Sequence, residues 1–282
     1  MADKTKNEIT TVATPDKDQL PAYLQGVNVN NTDNFDSSDV VIPRIKLLQG
    51  ISPEVEVFDE AKSGEFWHTG MDISLGASIN FVVADRRKKY LLSAPMEDGQ
   101  GVLARADDAV TWDRLGKWSV KQKGVKQPVV WEITDLNVAA SGLMDWGSYN
   151  PDDENSAPAA TLFYDYLVFL PDHLDLGPAV ISLARSSIRP AKKGLNDKIA
   201  LHQTNGRPMQ AILFNASVSD EQNGDGQGFK NWRFTGAGFV QDKALFDMAV
   251  EHRGALANVK IADEANTGES TKAPADDGTG KF

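Results

Sequence analysis

A mainly β chain with a minority of helix (α+β) is predicted by three features of the sequence. Apolar residues alternate over 78–84, with Ile79, Phe81 and Val83 on one face, which is the period of a half-buried strand. Two apolar runs, 162–170 and 179–184, are joined through Gly177-Pro178 and read as a hairpin. Two further runs, 209–218 and 229–234, flank Asn223-Gly224-Asp225-Gly226, the strongest hairpin signal in the chain. A set of strands with long connections suits an OB-fold-like barrel with long loops, while a β-sandwich is the alternative, because strand order cannot be read from such patterns.

Taken in order, residues 1–40 are rich in Asp, Asn and Thr, with isolated apolar positions at Leu20, Tyr23 and Leu24. They are expected to form a disordered arm. The OB-like domain is expected over 41–257, and 258–282 as a disordered acidic tail. The domain opens on Val-Val-Ile-Pro-Arg-Ile-Lys-Leu-Leu, an extended run that Pro43 assigns to a sheet edge, since proline cannot donate to a ladder. Ser52-Pro53 starts a short helical turn, and 129–133 is another short strand. The stretch 94–160 is rich in Gly, Asp and Trp with weak periodicity, and is expected to form long loops on the sheet. Two helices are expected. One has Pro190 near its start and Ile188, Ala191, Leu195 and Ile199 at helical spacing, and the other covers about 241–257 with Val240, Leu245, Met248 and Ala249 as its packing stripe.

Composition narrows the function. The chain has 282 residues, no cysteine and four scattered histidines, so disulfides, thiol nucleophiles and a histidine-rich metal site are not expected. No run of eighteen apolar residues exists, so no membrane association is expected, and a cytoplasmic location, in a cell or an infected host, fits. Net charge is -11, but it is unevenly placed. Residues 1–40 carry seven acids and three lysines, whereas 185–210 carry six bases against Asp197 and 105–126 carry six bases against three acids. Base in the body and acid at the ends suit a polyanion groove with acidic arms.

Three clusters are the candidate binding residues. Arg86-Arg87-Lys88-Lys89-Tyr90 follows a strand and is expected to be an exposed loop, with cations for phosphates and Tyr90 as a stacking ring. Trp112 and Trp118 lie among Arg105, Lys121 and Lys123, the interleaving that a single-strand groove needs, and of the six tryptophans these two are expected to be exposed. Arg185, Arg189, Lys192 and Lys193 are helical neighbours and could line one side of a groove. Catalytic patterns are missing. Glu60-Ala61-Lys62 has no Pro-Asp upstream except Pro15-Asp16, Asp152, Asp153 and Glu154 lack ligand spacing, and 220–228 lacks the closing Glu of a calcium loop. No phosphate-binding glycine loop and no nucleophile elbow occur, so the chain is not expected to be an enzyme or to carry a cofactor.

The segment 263–282 holds five acids and two lysines and ends in Phe282. It resembles the tails of bacterial and phage single-stranded DNA-binding proteins, which implies that Asp276, Asp277 and Phe282 engage phage or host replication proteins. Ile42-Pro43-Arg44-Ile45-Lys46-Leu47-Leu48-Gln49-Gly50, then Ser52-Pro53-Glu54, Gly64-Glu65-Phe66 and Leu75-Gly76, resemble a group of phage early-region proteins. The likeness continues to about residue 250 through Phe229-Lys230-Asn231 and Gly238-Phe239-Val240. It implies a role in phage replication or recombination through single-stranded DNA binding, with Arg44, Lys46 and Arg189 matching the group's pattern. The competing expectation is a non-enzymatic protein-interaction or virion-associated component that contacts host machinery, which the net acidity favours.

Overall fold

The computed structural model describes residues 42–257 apart from Glu97 and Asp225, so the arm at 1–40 and the tail at 258–282 lie outside the described residues. In chain order the strands and helices begin with β1 (Ile45–Leu47), α1 (Pro53–Val57), β2 (Phe66–His68) and β3 (Ile73–Gly76). The long β4 (Ser78–Ser93) follows, then β5 (Val102–Ala106), β6 (Gly116–Val120), β7 (Val129–Ile133), β8 (Ala160–Phe169) and β9 (Ala179–Ala184). A helical segment then runs through α2 (Ile188–Ala191), a π-helical turn (Lys192–Asn196) and α3 (Asp197–Thr204). The chain closes with β10 (Ile212–Gln222), β11 (Gly228–Phe239) and α4 (Lys243–Glu251).

The protein is mainly β, as its pattern predicts, and both expected hairpins form: β8 pairs β9 and β10 pairs β11, each antiparallel. The strands do not close a barrel. They make an open sheet in the order β11-β10-β4-β8-β9, with β5 also on β4, beside a three-stranded sheet β1-β2-β3 and the pair β6-β7. The outer edge of β9 is met by the parallel bridge from Arg44 to Val180, not by β11, which is why the sheet stays open.

Two expectations about local structure are corrected. The basic run 86–89 is not a loop but the middle of β4, paired residue for residue with β8 from Arg86↔Tyr166 to Lys89↔Phe163. Alternation explains how a strand tolerates four bases, since each face receives only two. The stretch 94–160 is not merely loops either, because β5, β6 and β7 lie in it and build a core of their own with Trp112, Val120, Trp131 and Ile133 under Leu92.

β4 organises the rest. Its first part, from Ser78 to Val82, pairs β10, and its last part, from Tyr90 to Ser93, pairs β5 along the same edge. Between them, side chains supply what a neighbouring strand would. Gln210 Nε2 donates to the Ala84 carbonyl at 2.8 Å, and Asp85 Oδ2 accepts from the Leu256 N–H at 2.9 Å. One face of the sheet carries Phe81, Val83, Tyr166, Ile181, Phe214 and Trp232, roofed by Ile45 and Phe66 of the small sheet and by Leu195 and Ile199 of the helical segment. The other face carries Val82, Ala84, Leu167 and Phe169 against Leu245 and Ala249 of α4.

The helical segment lies along β11. Gly194 meets Phe234 so closely that a Cβ would stand 2.6 Å from the Phe234 Cβ and 3.0 Å from its carbonyl oxygen. Further along, the Lys198 Nζ reaches the backbone at Gly236, and the His202 ring sits 5.5 Å from that of Phe239. Positions 194, 198 and 202 recur every helical turn or so, and this one stripe tracks β11 from Phe234 to its end.

Candidate nucleic-acid interface

The four bases of β4 separate into two pairs with different surroundings. Arg87 and Lys89 turn to the α4 side of the sheet, where Asp165 is fully buried. Arg87 Nη2 stands 3.1 Å and Lys89 Nζ 3.0 Å from Asp165 Oδ2, and Ser182 Oγ donates to Asp165 Oδ1. Arg87 Nη1 also donates to the Leu256 carbonyl at 2.9 Å. Lys89 is only 2% exposed, so it is withdrawn from any ligand, and its assignment and that of Arg87 as phosphate contacts are corrected to a buried ion cluster.

Arg86 and Lys88 turn to the other face and are exposed. The Arg86 guanidinium lies 5.1 Å above the Tyr164 ring, and Lys88 Nζ lies 5.3 Å from the centre of the Tyr90 ring. Below Arg86 the face is covered by the core under the helical segment, and above Lys88 Tyr90 packs on the second core, so these two cations occupy the interval between the covers. The Tyr166 hydroxyl, in register with Arg86, donates to Asn196 Oδ1 at 2.8 Å. Burial pushes this phenol well above its usual range, against the pull of the Arg86 cation beside it, so it stays a donor at any working pH.

Asn196 ends the π-helical turn that carries Lys192 and Lys193, and wide turns of this kind are frequent at functional sites. Arg185, Ile188, Arg189, Lys192, Lys193 and Asp197 line a pocket of about 650 Å³. Arg185 takes a left-handed φ of 51° where β9 ends, a strained conformation that turns the chain from strand into helix. Elsewhere, Lys46, Arg87, Lys89, Arg114, Lys117, Lys230 and Lys243 face carboxylates. Arg86, Lys88, Arg185, Arg189, Lys192 and Lys193 form no ion pair among the described residues. These six lie on β4 and the helical segment, and four of them share the pocket, whereas other cations without an ion pair among the described residues, such as Lys62, Lys121, Lys126 and Arg233, stand apart from it.

The remaining candidates lie elsewhere. Lys46 is paired to Glu54 at 2.9 Å; burial would raise that carboxyl, but the lysine hydrogen bond, a backbone hydrogen bond and the lysine charge together hold it below its usual range. Arg44 is buried, with its N–H donating to Thr69 Oγ1 at 2.9 Å, so it is a framework residue. Arg105 is half-buried on β5, its backbone N–H donating to Asp113 Oδ1 at 3.0 Å. Lys121 and Lys123 are exposed on the connection between β6 and β7. Trp112 is not exposed but 1% accessible in the second core, fixed by its N–H to the Leu136 carbonyl at 2.7 Å. Trp118 is half-buried, its ring lying where a Cβ on Gly116 would stand, opposite Trp131 in the hairpin. The expected Trp–Lys interleaving does not form, because both rings answer to that core. Asp276, Asp277 and Phe282 lie outside the described residues.

Residues that the sequence reading did not select include His202, Arg207 and Phe239, which meet at the far end of the helical segment, and Lys198, which approaches β11 at Gly236. Lys198 and Arg207 stand in the basic window, but their companion Phe239 is remote in sequence and only the fold brings it there. Among the described residues, no group of three or more His, Asp or Glu side chains is placed to hold a metal ion. No helix among them is long and apolar enough to cross a membrane.

A family model described as Pam3 phage gp34-like protein matches residues 14–262. That span is most of the chain, so the protein belongs to the Pam3 phage gp34-like family and is a phage protein, as the resemblance implied at that level. No curated protein and no solved structure matches it.

Proposed function

We propose that this Pam3 phage gp34-like protein binds single-stranded DNA without reading its sequence, during phage DNA replication or recombination in the host cytoplasm, and catalyses no reaction. The observation that carries this reading is the grouping of six cations on β4 and the helical segment that form no ion pair among the described residues, four of them lining one pocket. Phosphates neutralised by such cations release their counterions, a driving force indifferent to base identity. The half-buried Tyr90 ring beside Lys88 is of the kind that single-strand grooves use for stacking, while Tyr164 under Arg86 belongs to the core. Segregation of charge makes this compatible with a net charge of -11, because the field near the site is set by its nearest groups. The acidic segment with Asp276, Asp277 and Phe282 would recruit phage or host replication proteins, a proposal that the sequence resemblance alone supports.

The test is equilibrium binding of the full chain to oligo-dT at low salt, with duplex of equal length as control. The expected result is binding of oligo-dT in preference to duplex, lost in large part in the variant Arg189→Ala, Lys193→Ala. Absence of binding at low salt would remove the reading and leave the one favoured by net acidity, a protein-interaction or virion-associated role.

A further inference from the structure

Beyond the pocket, the helical segment reaches a second group of cations at the end of β11. Lys198 Nζ lies 3.5 Å from where a Cβ on Gly236 would stand. The His202 ring meets Phe239 edge to face, with centroids 5.5 Å apart and planes at 83°. After α3 the chain turns back at Gly206, whose φ is 71°, and the Arg207 N–H donates to the His202 carbonyl at 3.0 Å. This turn lays the Arg207 guanidinium 5.2 Å from the centre of the Phe239 ring. Phe239 itself is 42% exposed and ends the outermost strand of the open sheet.

A large ring held at its edge by His202, yet open to solvent, has Arg207 over it and Lys198 farther back along the same strand at Gly236. The contrast with the other rings is informative. Trp112 and Trp118 belong to the second core, and Tyr164 is buried under Arg86. Trp146 is 74% exposed, but the loop that holds it carries Asp145, Asp152, Asp153 and Glu154, which repel phosphate. Phe239 combines exposure with a cation over its ring, Arg207, and an edge contact from His202 of the helical segment that lines the pocket.

We infer that Phe239 is a base-stacking platform, with Arg207 and Lys198 as its phosphate contacts, and that it forms a second subsite for the strand bound at the pocket. This inference rests on the reading proposed above. Arg207 is exposed and long enough to swing from the ring to an adjoining phosphate while a base takes its place on the ring face. Stacking on a ring is sequence-tolerant because every base has a π-face. From Arg189 at the pocket to His202 at the ring the helical segment spans roughly 20 Å at helical rise, so a bound strand follows the helix and is not confined to the pocket.

The experiment compares two probes on the full chain: oligo-dT, and an abasic deoxyribose-phosphate oligomer of the same length. Phe239→Leu is expected to lower affinity for oligo-dT by about five- to a hundredfold while leaving affinity for the abasic oligomer unchanged. Arg207→Ala should lower both. Phe239→Trp should retain oligo-dT affinity and have its emission quenched by oligo-dT but not by the abasic probe, which guards against a Leu variant that misfolds. If Phe239→Leu lowers neither affinity, or lowers both equally while Phe239→Trp shows no base-dependent quenching, the platform is refuted and the charge-based reading stands. If the parent binds neither probe, the proposed function itself fails, and this inference with it.

Discussion

Arg87 and Lys89 leave β4 on one side and converge on the buried carboxylate of Asp165, whereas Arg86 and Lys88 leave it on the other and lie over Tyr164 and Tyr90 in solvent. A displacement of one residue in a strand is a change of face, so a run of like charges divides by period two into a set that holds the fold and a set that can meet a ligand. The comparison also shows why a net charge says little about binding. The inward pair shares Asp165, with Asp107 also 4.0 Å from Arg87, while the exposed pair faces no carboxylate among the described residues.

The largest effect that would break this contrast is on stability. Asp165→Asn removes the carboxylate shared by the buried Lys89 and the half-buried Arg87, and should cost about 3–5 kcal/mol in denaturant unfolding. Arg86→Ala with Lys88→Ala should stay within about 0.5 kcal/mol of the parent, as exposed positions do. Equal losses in the two variants would erase the distinction between the faces.

A smaller effect is expected at Gly194, where the helical segment is seated on β11. Gly194→Ala puts a methyl group against the Phe234 Cβ and backbone, which should destabilise the protein by about 1–3 kcal/mol and weaken binding by displacing Lys192 and Lys193. Unaltered stability and affinity would show that this seat does not position the pocket.

The smallest effect is a pH dependence away from both faces. His68 is 1% exposed on β2, with neither ring nitrogen hydrogen-bonded, and burial holds its imidazole below the usual value of 6.5, against the pull of Asp72 and with the added repulsion of His173. A depressed value in the folded state means that the unfolded chain binds the proton more readily. The stability contributed by neutral His68 is therefore complete above the ordinary imidazole value and lost as the pH falls from there through the depressed one. His68→Phe should flatten the fall in unfolding midpoint between about pH 7 and 5. An unchanged slope would assign the acid sensitivity elsewhere.

How far the fold and site are legible from sequence follows from the range of each interaction. The hairpins around Gly177-Pro178 and Asn223-Gly224 form as expected, because turn chemistry and alternation are local. The cations at 189, 192 and 193 share one pocket because helical spacing is local too, and Arg185 reaches it through the left-handed turn that ends β9. What a sequence pattern does not reveal is the partner across the sheet. Asp165 lies 78 residues from Arg87, so the division of the basic run could not be read without the register of β8. Trp112 stands among polar neighbours yet is buried, because its burial depends on Trp131, Ile133 and Ala160, which join the same core from later in the chain. The barrel fails for the same reason, since closure depends on which edges meet, and here the 43–44 segment reaches β9 instead of β11.

The claim that the exposed cations of β4 and of the helical segment act together on phosphates is tested most directly by the salt dependence of oligo-dT binding. Arg86, Lys88, Arg189 and Lys193 would be replaced by Ala in one variant whose unfolding midpoint matches the parent. Four phosphates lost at about 0.7 each predict a log-affinity against log-salt slope shallower by about 2.8. A variant that binds oligo-dT with the parent's slope would contradict the account.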